Sequence, residues 1–357
     1  RRQRQMCIRD RRSTDTTDYY EIMMQEAKAE IVPGKMTKLW AYTAKDAAGK
    51  EMINPTIVQQ RGRRSVVRFI NELPMEAPRS TSTHLHGSAS LPQYDGYAND
   101  RSWSGQYKDY VYPNFQNART IWYHDHGLHY TGPNVYLGMA GFYLLKDDAD
   151  PDQQLLPQGE YDVPLVLRDA QLDSNGDFVW NDNNLSSVHG DVILTNGVPW
   201  PRMAVKRGMY RFRILNGSIS RGYRLSLSSG SFYVIGTDAG LLPTPVKTND
   251  LRIGMAERYE ILIDFNQYPA GTKVVLKNLG VPNSKQFTTT AQVMRFDVDS
   301  ASPPVTTSAF NASTRFNASK EVNDVMALTE AQAVNKRLFR LEHEADGMWT
   351  LNDKTWD

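Results

Sequence analysis

The chain of 357 residues has one cysteine, Cys7, so thiolate metal chemistry has at most one residue to draw on. No apolar run approaches the ~18–20 residues that a membrane-spanning helix needs. Long stretches with a 3.6-residue apolar period are also lacking, which argues against a helical bundle. Charge of one sign is missing: the formal net charge is +1, with no global bias towards nucleic acid or a membrane surface. The 13 methionines are scattered rather than gathered in a Met-rich insert.

The cysteine lies in residues 1–11 (RRQRQMCIRDR), a string with five basic side chains and no apolar h-region. It is therefore neither a secretory nor a twin-arginine signal. A basic arm for nucleic acid is one reading. The other is a translated frame of a common transposase sequencing adapter, and this one is favoured. Residues 1–11 are then expected to lie outside the fold, and the chain is expected to be a fragment assembled from environmental DNA. Setting them aside removes five basic and one acidic side chain, taking the net charge from +1 to −3, and leaves no cysteine.

What is present is ordinary for a globular β protein: 40% hydrophobic and 23% charged residues, 24 Gly and 18 Pro. The length suits two or three domains of roughly 100–200 residues. Strand-like runs recur between turn signals, at 65–73 (SVVRFINEL), 119–123, 141–145 (GFYLL), 161–168 (YDVPLVLR) and 191–195 (DVILT), the last ending at the turn dipeptide Asn196-Gly197. Tyr210, Phe212 and Ile214 alternate with Arg211 and Arg213, which predicts one apolar and one polar face; residues 259–265 alternate likewise. Further strands are expected at 273–277 and 292–298. Many short strands at regular spacing indicate an all-β sandwich or barrel.

Residues 147–159 (DDADPDQQLLPQG) and 300–317 read as linkers by composition. They divide the chain into expected domains at 18–150 and 158–299, with a linker at 300–335. A new strand pattern opens at 337–341 (RLFRL), and about twenty residues cannot bury a core. Residues 336–357 are therefore expected to begin a third domain.

Of the seven histidines, four form two His-x-His pairs, His84-Leu85-His86 and His124-Asp125-His126. On a strand, residues i and i+2 share a face, so each pair aims two imidazoles the same way. Imidazole suits zinc, copper, iron and nickel. One such pair is weak evidence for a metal, since strand histidines are often surface residues. Two pairs, one followed by Gly87 and the other preceded by Trp122-Tyr123, are much stronger. A zinc cupin is the main competitor, but it wants a glutamate soon after the pair, and residues 87–93 (GSASLPQ) contain none.

The segments 84–87 (HLHG) and 122–126 (WYHDH) resemble the first two copper motifs of multicopper oxidases. The resemblance extends through 136–147 (YLGMAGFYLLKD), 190–201 (GDVILTNGVPWP), 210–218 (YRFRILNGS) and 256–265 (AERYEILIDF), matching the group of bilirubin oxidases and bacterial spore-coat laccases. It implies tandem cupredoxin-like Greek-key β-barrels, two complete and a third begun, with a trinuclear copper cluster between the first and third. By position, His84 would bind the type 2 copper, and His86, His124 and His126 the type 3 pair. Asp95 would relay protons, although an Asp-Gly turn residue is its plainer reading. Asp125, pointing to the opposite strand face, is expected to play a supporting role. The pattern does not require His129 as a ligand, and His189 and His343 read as structural and exposed.

The implied activity couples one-electron oxidation of a phenolic or tetrapyrrole reductant to reduction of dioxygen to water. A metal-ion oxidase and a non-enzymatic copper-binding or coat protein are the alternatives. The family's two further motifs, His-x-x-His-x-His and His-Cys-His, are not in this sequence. The type 1 copper, whose Cys thiolate makes it blue, therefore cannot be built from it. The resemblance implies an extracytoplasmic or spore-coat setting. Four formal glycosylation sequons begin at Asn184, Asn216, Asn311 and Asn317.

Overall fold

The structure, a computed structural model, describes residues 12–46, 48–74, 80–184, 186–316, 328–345 and 347–355. The adapter-like segment 1–11 with Cys7, and the sequon at Asn317, lie outside the described residues.

Alternating burial builds the first half of the chain. In strand Arg64–Asn71, Ser65, Val67, Phe69 and Asn71 are buried while the residues between them are not. This strand joins Thr17–Glu30, Met36–Lys45, Glu51–Ile53 and Tyr107–Tyr112 in a six-stranded sheet with the short Arg12–Ser13. A four-stranded sheet runs in the order Ile57–Gln60, Ala140–Lys146, Arg119–Asp125, Thr83–His86. The two sheets face one another across a shared core: Ile22, Tyr42, Phe69 and Tyr110 from one meet Leu85, Ile121, Tyr123 and Tyr143 from the other.

The second half repeats the plan. A seven-stranded sheet, which includes Asp162–Ala170, Met209–Asn216 and Arg258–Asp264, packs on a five-stranded sheet that includes Tyr223–Leu227, Lys273–Asn278 and Gln292–Val298. Each half has one parallel pairing per sheet. Thr17–Glu30 runs parallel to Arg64–Asn71, and Ile57–Gln60 to Ala140–Lys146. In the second half Asp162–Ala170 runs parallel to Met209–Asn216, and Arg202–Val205 to Gln292–Val298. Parallel neighbours require a crossover between sheets, and the same crossovers in both halves give tandem cupredoxin-like Greek-key barrels. The longest helix among the described residues, Thr131–Leu137, has seven residues, and none is long and apolar enough to cross a membrane.

Three features differ from the sequence reading. Strands Thr17–Glu30 and Met36–Lys45 precede the first strand expected, at 65–73. Their Met, Ala, Glu and Lys content favours helix locally, and sheet pairing overrides it. Arg211 and Arg213 do not form an exposed polar face: they are 1% and 2% exposed, because that face packs on the first half. Residues 300–316 carry no strand, yet Phe310 and Phe316 are buried with Leu156, Ile235 and Leu262, and the Thr307 hydroxyl donates to the Met209 carbonyl at 2.6 Å. Beyond them, strands Leu341–His343 and Trp349–Leu351 form a two-stranded ribbon with Leu338, Phe339, Leu341 and Trp349 exposed.

Candidate metal centre

Strands Thr83–His86 and Arg119–Asp125 are antiparallel neighbours, with His84 directly opposite His124 and His86 opposite Trp122. The pleat sends Thr83 and Leu85 into the first core and His84 and His86 to the other face. On the second strand, Thr120, Trp122 and His124 share that same face. His126 follows the strand's end, where its backbone N–H donates to the Ser82 carbonyl at 2.6 Å. The His84 ring centroid lies 5.4 Å from those of His86 and His124 and 5.3 Å from that of His126.

The ligand nitrogens of His84, His86 and His124 all lie within 4.8 Å of one another. His86 Nδ1 faces His124 Nε2 at 3.4 Å. Two nitrogens held ~2.0–2.1 Å from one ion at a tetrahedral angle are about 3.4 Å apart. This pair therefore already has the bite that a shared ion requires, and the donor set fits copper.

Neighbouring groups fix which nitrogen each ring presents. His84 Nδ1–H donates to the Asp95 carbonyl, and His124 Nδ1–H donates to the Asp125 carbonyl at 2.8 Å. Both rings thus keep Nε2 free of a proton. The Asp95 carboxylate stands 3.5 Å from His84 Nδ1, and its side chain is 47% exposed. The turn is held close by Gly96 (φ +77°): a Cβ there would lie 2.3 Å from the Thr83 carbonyl oxygen. Asp95, Tyr97, Leu128 and His129 line a cleft of about 330 Å³ with His84 and His126.

The buried Asp125 carboxylate accepts from Ser82 N–H at 2.9 Å, Gly127 N–H at 3.2 Å and Asn134 Nδ2 at 2.9 Å. It ties the approach to the first ligand strand to the loop after the second. Trp122 packs between two imidazoles, 4.1 Å from the His124 ring and 5.3 Å from the His86 ring. Burial lowers the pKa of all three of His84, His86 and His124. His86 falls to about 4, with the Arg258 charge next after burial among the causes. The rings are neutral near pH 7, with lone pairs available to a metal.

The second half braces this face. The Thr120 hydroxyl donates to Glu260 at 2.7 Å, and Arg213 Nη1 reaches both Thr120 Oγ1 and Glu260 at 3.0 Å. Arg213 also grips Asp162 with two bonds, at 2.7 and 2.9 Å, while Arg211 bonds Glu260 at 2.8 Å. Arg258 Nε donates to the Thr120 carbonyl at 3.2 Å.

The structure brings together His84, His86, His124 and His126, with Asp95 beside His84. His129, in a left-handed conformation (φ 68°), lines the cleft outside this group of rings. His189 lies in the second half beside Arg221, and the exposed His343 packs on Trp349. Sequence reasoning missed Thr120, Glu260 and Arg258. The available signal was Thr120's i−4 spacing from His124, which puts it on the ligand face.

These features define a cupredoxin pair with a candidate metal site on the first barrel. Two family models described as "Multicopper oxidase" match residues 27–150 and 174–298. The chain belongs to the multicopper oxidase family, and membership implies copper binding. It is 41% identical over 296 residues to a bilirubin oxidase of Albifimbria verrucaria, covering 78% of this chain and 50% of that protein. It is 33% identical over 322 residues to a laccase of Bacillus subtilis (strain 168), covering 78% and 61%. The crystal structure of a multicopper oxidase from the hyperthermophile Aquifex aeolicus superposes with a TM-score of 0.78 at 29% identity, covering 98% of this chain and 73% of that one. The chain thus spans half to three fifths of the length of these two curated relatives.

Proposed function

We propose that this chain carries half of the oxygen-reducing centre of a laccase- or bilirubin-oxidase-like enzyme. The observation that carries the reading is the convergence of the four His-x-His imidazoles, with His86 Nδ1 and His124 Nε2 at 3.4 Å. In this reading His84 holds the type 2 copper through Nε2, His86 and His124 share one type 3 ion, and His126 serves the other. Bound copper supplies one-electron redox chemistry and the place where dioxygen is held. The residues of this chain do the rest. Trp122 and the second-half brace fix the ring planes, burial keeps the His84, His86 and His124 imidazoles unprotonated, and Asp125 holds the strand ends. Asp95, at the cleft rim beside His84, passes protons from solvent towards the cluster; a positioned carboxylate is worth ~10²–10⁴-fold in such a transfer. The remaining ligands and the type 1 site belong to a third cupredoxin domain that residues 336–357 begin, beyond expected domains at 18–150 and 158–299.

The whole enzyme would take four electrons, one at a time, from a phenolic or tetrapyrrole reductant, and with four protons convert one dioxygen to two waters. The test is expression of the extended open reading frame. The expected result is a His-Cys-His segment, the blue colour of thiolate-bound copper, and four substrate electrons consumed per dioxygen. An extended frame without that segment would sink the oxidase reading. Copper uptake with no oxygen consumption would point to a storage or coat protein.

A further inference from the structure

Arg258 is 2% exposed, comes from the second half, and reaches both ligand strands. Its Nε donates to the carbonyl of Thr120, four residues before His124. Its Nη2 lies against Gly87, the residue after His86: a Cβ built on Gly87 would stand 2.5 Å from that nitrogen. Nη1 donates to the Ala256 carbonyl at 3.0 Å and pairs with the Asp238 carboxylate at 2.9 Å. Asp238 also accepts the Arg258 backbone N–H at 2.7 Å, and its side chain is 50% exposed. The guanidinium is therefore fixed from three sides, with Nη2 against the residue that follows His86 and its counter-charge half-exposed to solvent.

A fixed cation repels a doubly charged ion more than a singly charged one. It therefore weakens Cu(II) binding more than Cu(I) binding, and so raises the reduction potential of copper held there. We infer that Arg258 is a positioning residue that clamps the two ligand strands and biases the copper held by His86 and His124 towards Cu(I). The inference rests on the copper reading proposed above. It gives the second barrel, which supplies none of the four converging histidines, a direct part in setting the electron affinity of the cluster.

The test uses the 357-residue chain and competition with Cu(I)- and Cu(II)-selective chelators, comparing the ratio of the two affinities. Arg258→Met should shift the ratio towards Cu(II) by about tenfold, the scale of one unit charge about 12 Å away at an effective dielectric of about 20. Arg258→Lys, which keeps the charge, should restore the ratio to within about twofold of the parent. If Arg258→Met does not fold, Asp238→Asn decides: removing the exposed counter-charge should move the ratio the opposite way, towards Cu(I). An unchanged ratio in every folded variant overturns the inference, with copper still bound. Loss of the distinction between the parent chain and a His86→Ala/His124→Ala control is a different result: it removes the copper reading and the inference with it.

Discussion

Glu260 is the acceptor at the centre of the contact between the two barrels, and replacing it tests whether that contact stabilises the fold. The carboxylate is 1% exposed. It accepts from the Thr120 hydroxyl at 2.7 Å, Arg213 Nη1 at 3.0 Å and Arg211 Nε at 2.8 Å, and also from Arg211 Nη2. Burial works against its charge, but Arg211 and Arg213 outweigh this and lower its pKa. In Glu260→Ala, Arg213 keeps Asp162, while Arg211 keeps the Gln153 side-chain oxygen at 3.0 Å and no carboxylate among the bonds described. The two arginines and two carboxylates then no longer balance. Breaking a buried pair on one side costs ~3–5 kcal/mol. At ~2–4 °C per kcal/mol for a unit of this size, the Tm should fall by about 6–20 °C. Glu260→Gln should fall between that variant and the parent, since it keeps an oxygen for Thr120 and loses the charge. Calorimetry and urea unfolding provide the assay, with Asp250→Asn in the exposed Arg224–Asp250 pair as a control that should leave Tm unchanged. A Glu260→Ala protein as stable as the control would refute the reasoning.

Asp125→Ala removes the acceptor of two backbone N–H groups and the Asn134 amide, and should cost about 2–4 kcal/mol by denaturant titration. It should also raise amide exchange in residues 80–86 and 124–128. Gly96→Ala has no room against Thr83 and an unfavourable φ, so it should push the Asp95 turn off His84 and change the His84 imidazole NMR shifts. Asp18 is held at about 2, chiefly by its hydrogen bond with Arg63; at Asp162 burial pushes up, but Arg213 and Arg211 outweigh it, again giving about 2. Both folded values lie below an unfolded value near 3.9. The stability they confer is therefore complete above about pH 4 and is lost as pH falls towards 2. Asp18→Asn should flatten that acid limb of the stability profile. The chain as given should turn over no phenolic dye even when copper-loaded, and spectrophotometric turnover by purified residues 12–357 would contradict this.

The strands most legible in sequence are those with clean two-residue alternation. Arg64–Asn71, buried at every second residue, falls within the run expected at 65–73, and Asn196-Gly197 turns where expected, with both φ values positive. Thr17–Glu30 was hidden because its residue types favour helix in isolation, and only pairing with Met36–Lys45 and Arg64–Asn71 overrides them. The four histidines were visible because spacing alone puts each pair on one face. The brace was not visible. Glu260 and Arg213 read as the solvent side of amphipathic strands, and only docking of one barrel on the other makes that side interior. Pairing across such a contact leaves no periodicity within either segment.

The central claim, that His84, His86, His124 and His126 together hold copper, is tested most directly by pulsed EPR of the Cu(II)-loaded chain alongside copper stoichiometry. The expected result is imidazole-nitrogen coupling from more than one ring in the parent chain, lost with the bound copper when all four are replaced by Ala while His129, His189 and His343 remain. Equal copper retention with the same nitrogen signature in that quadruple variant would contradict it.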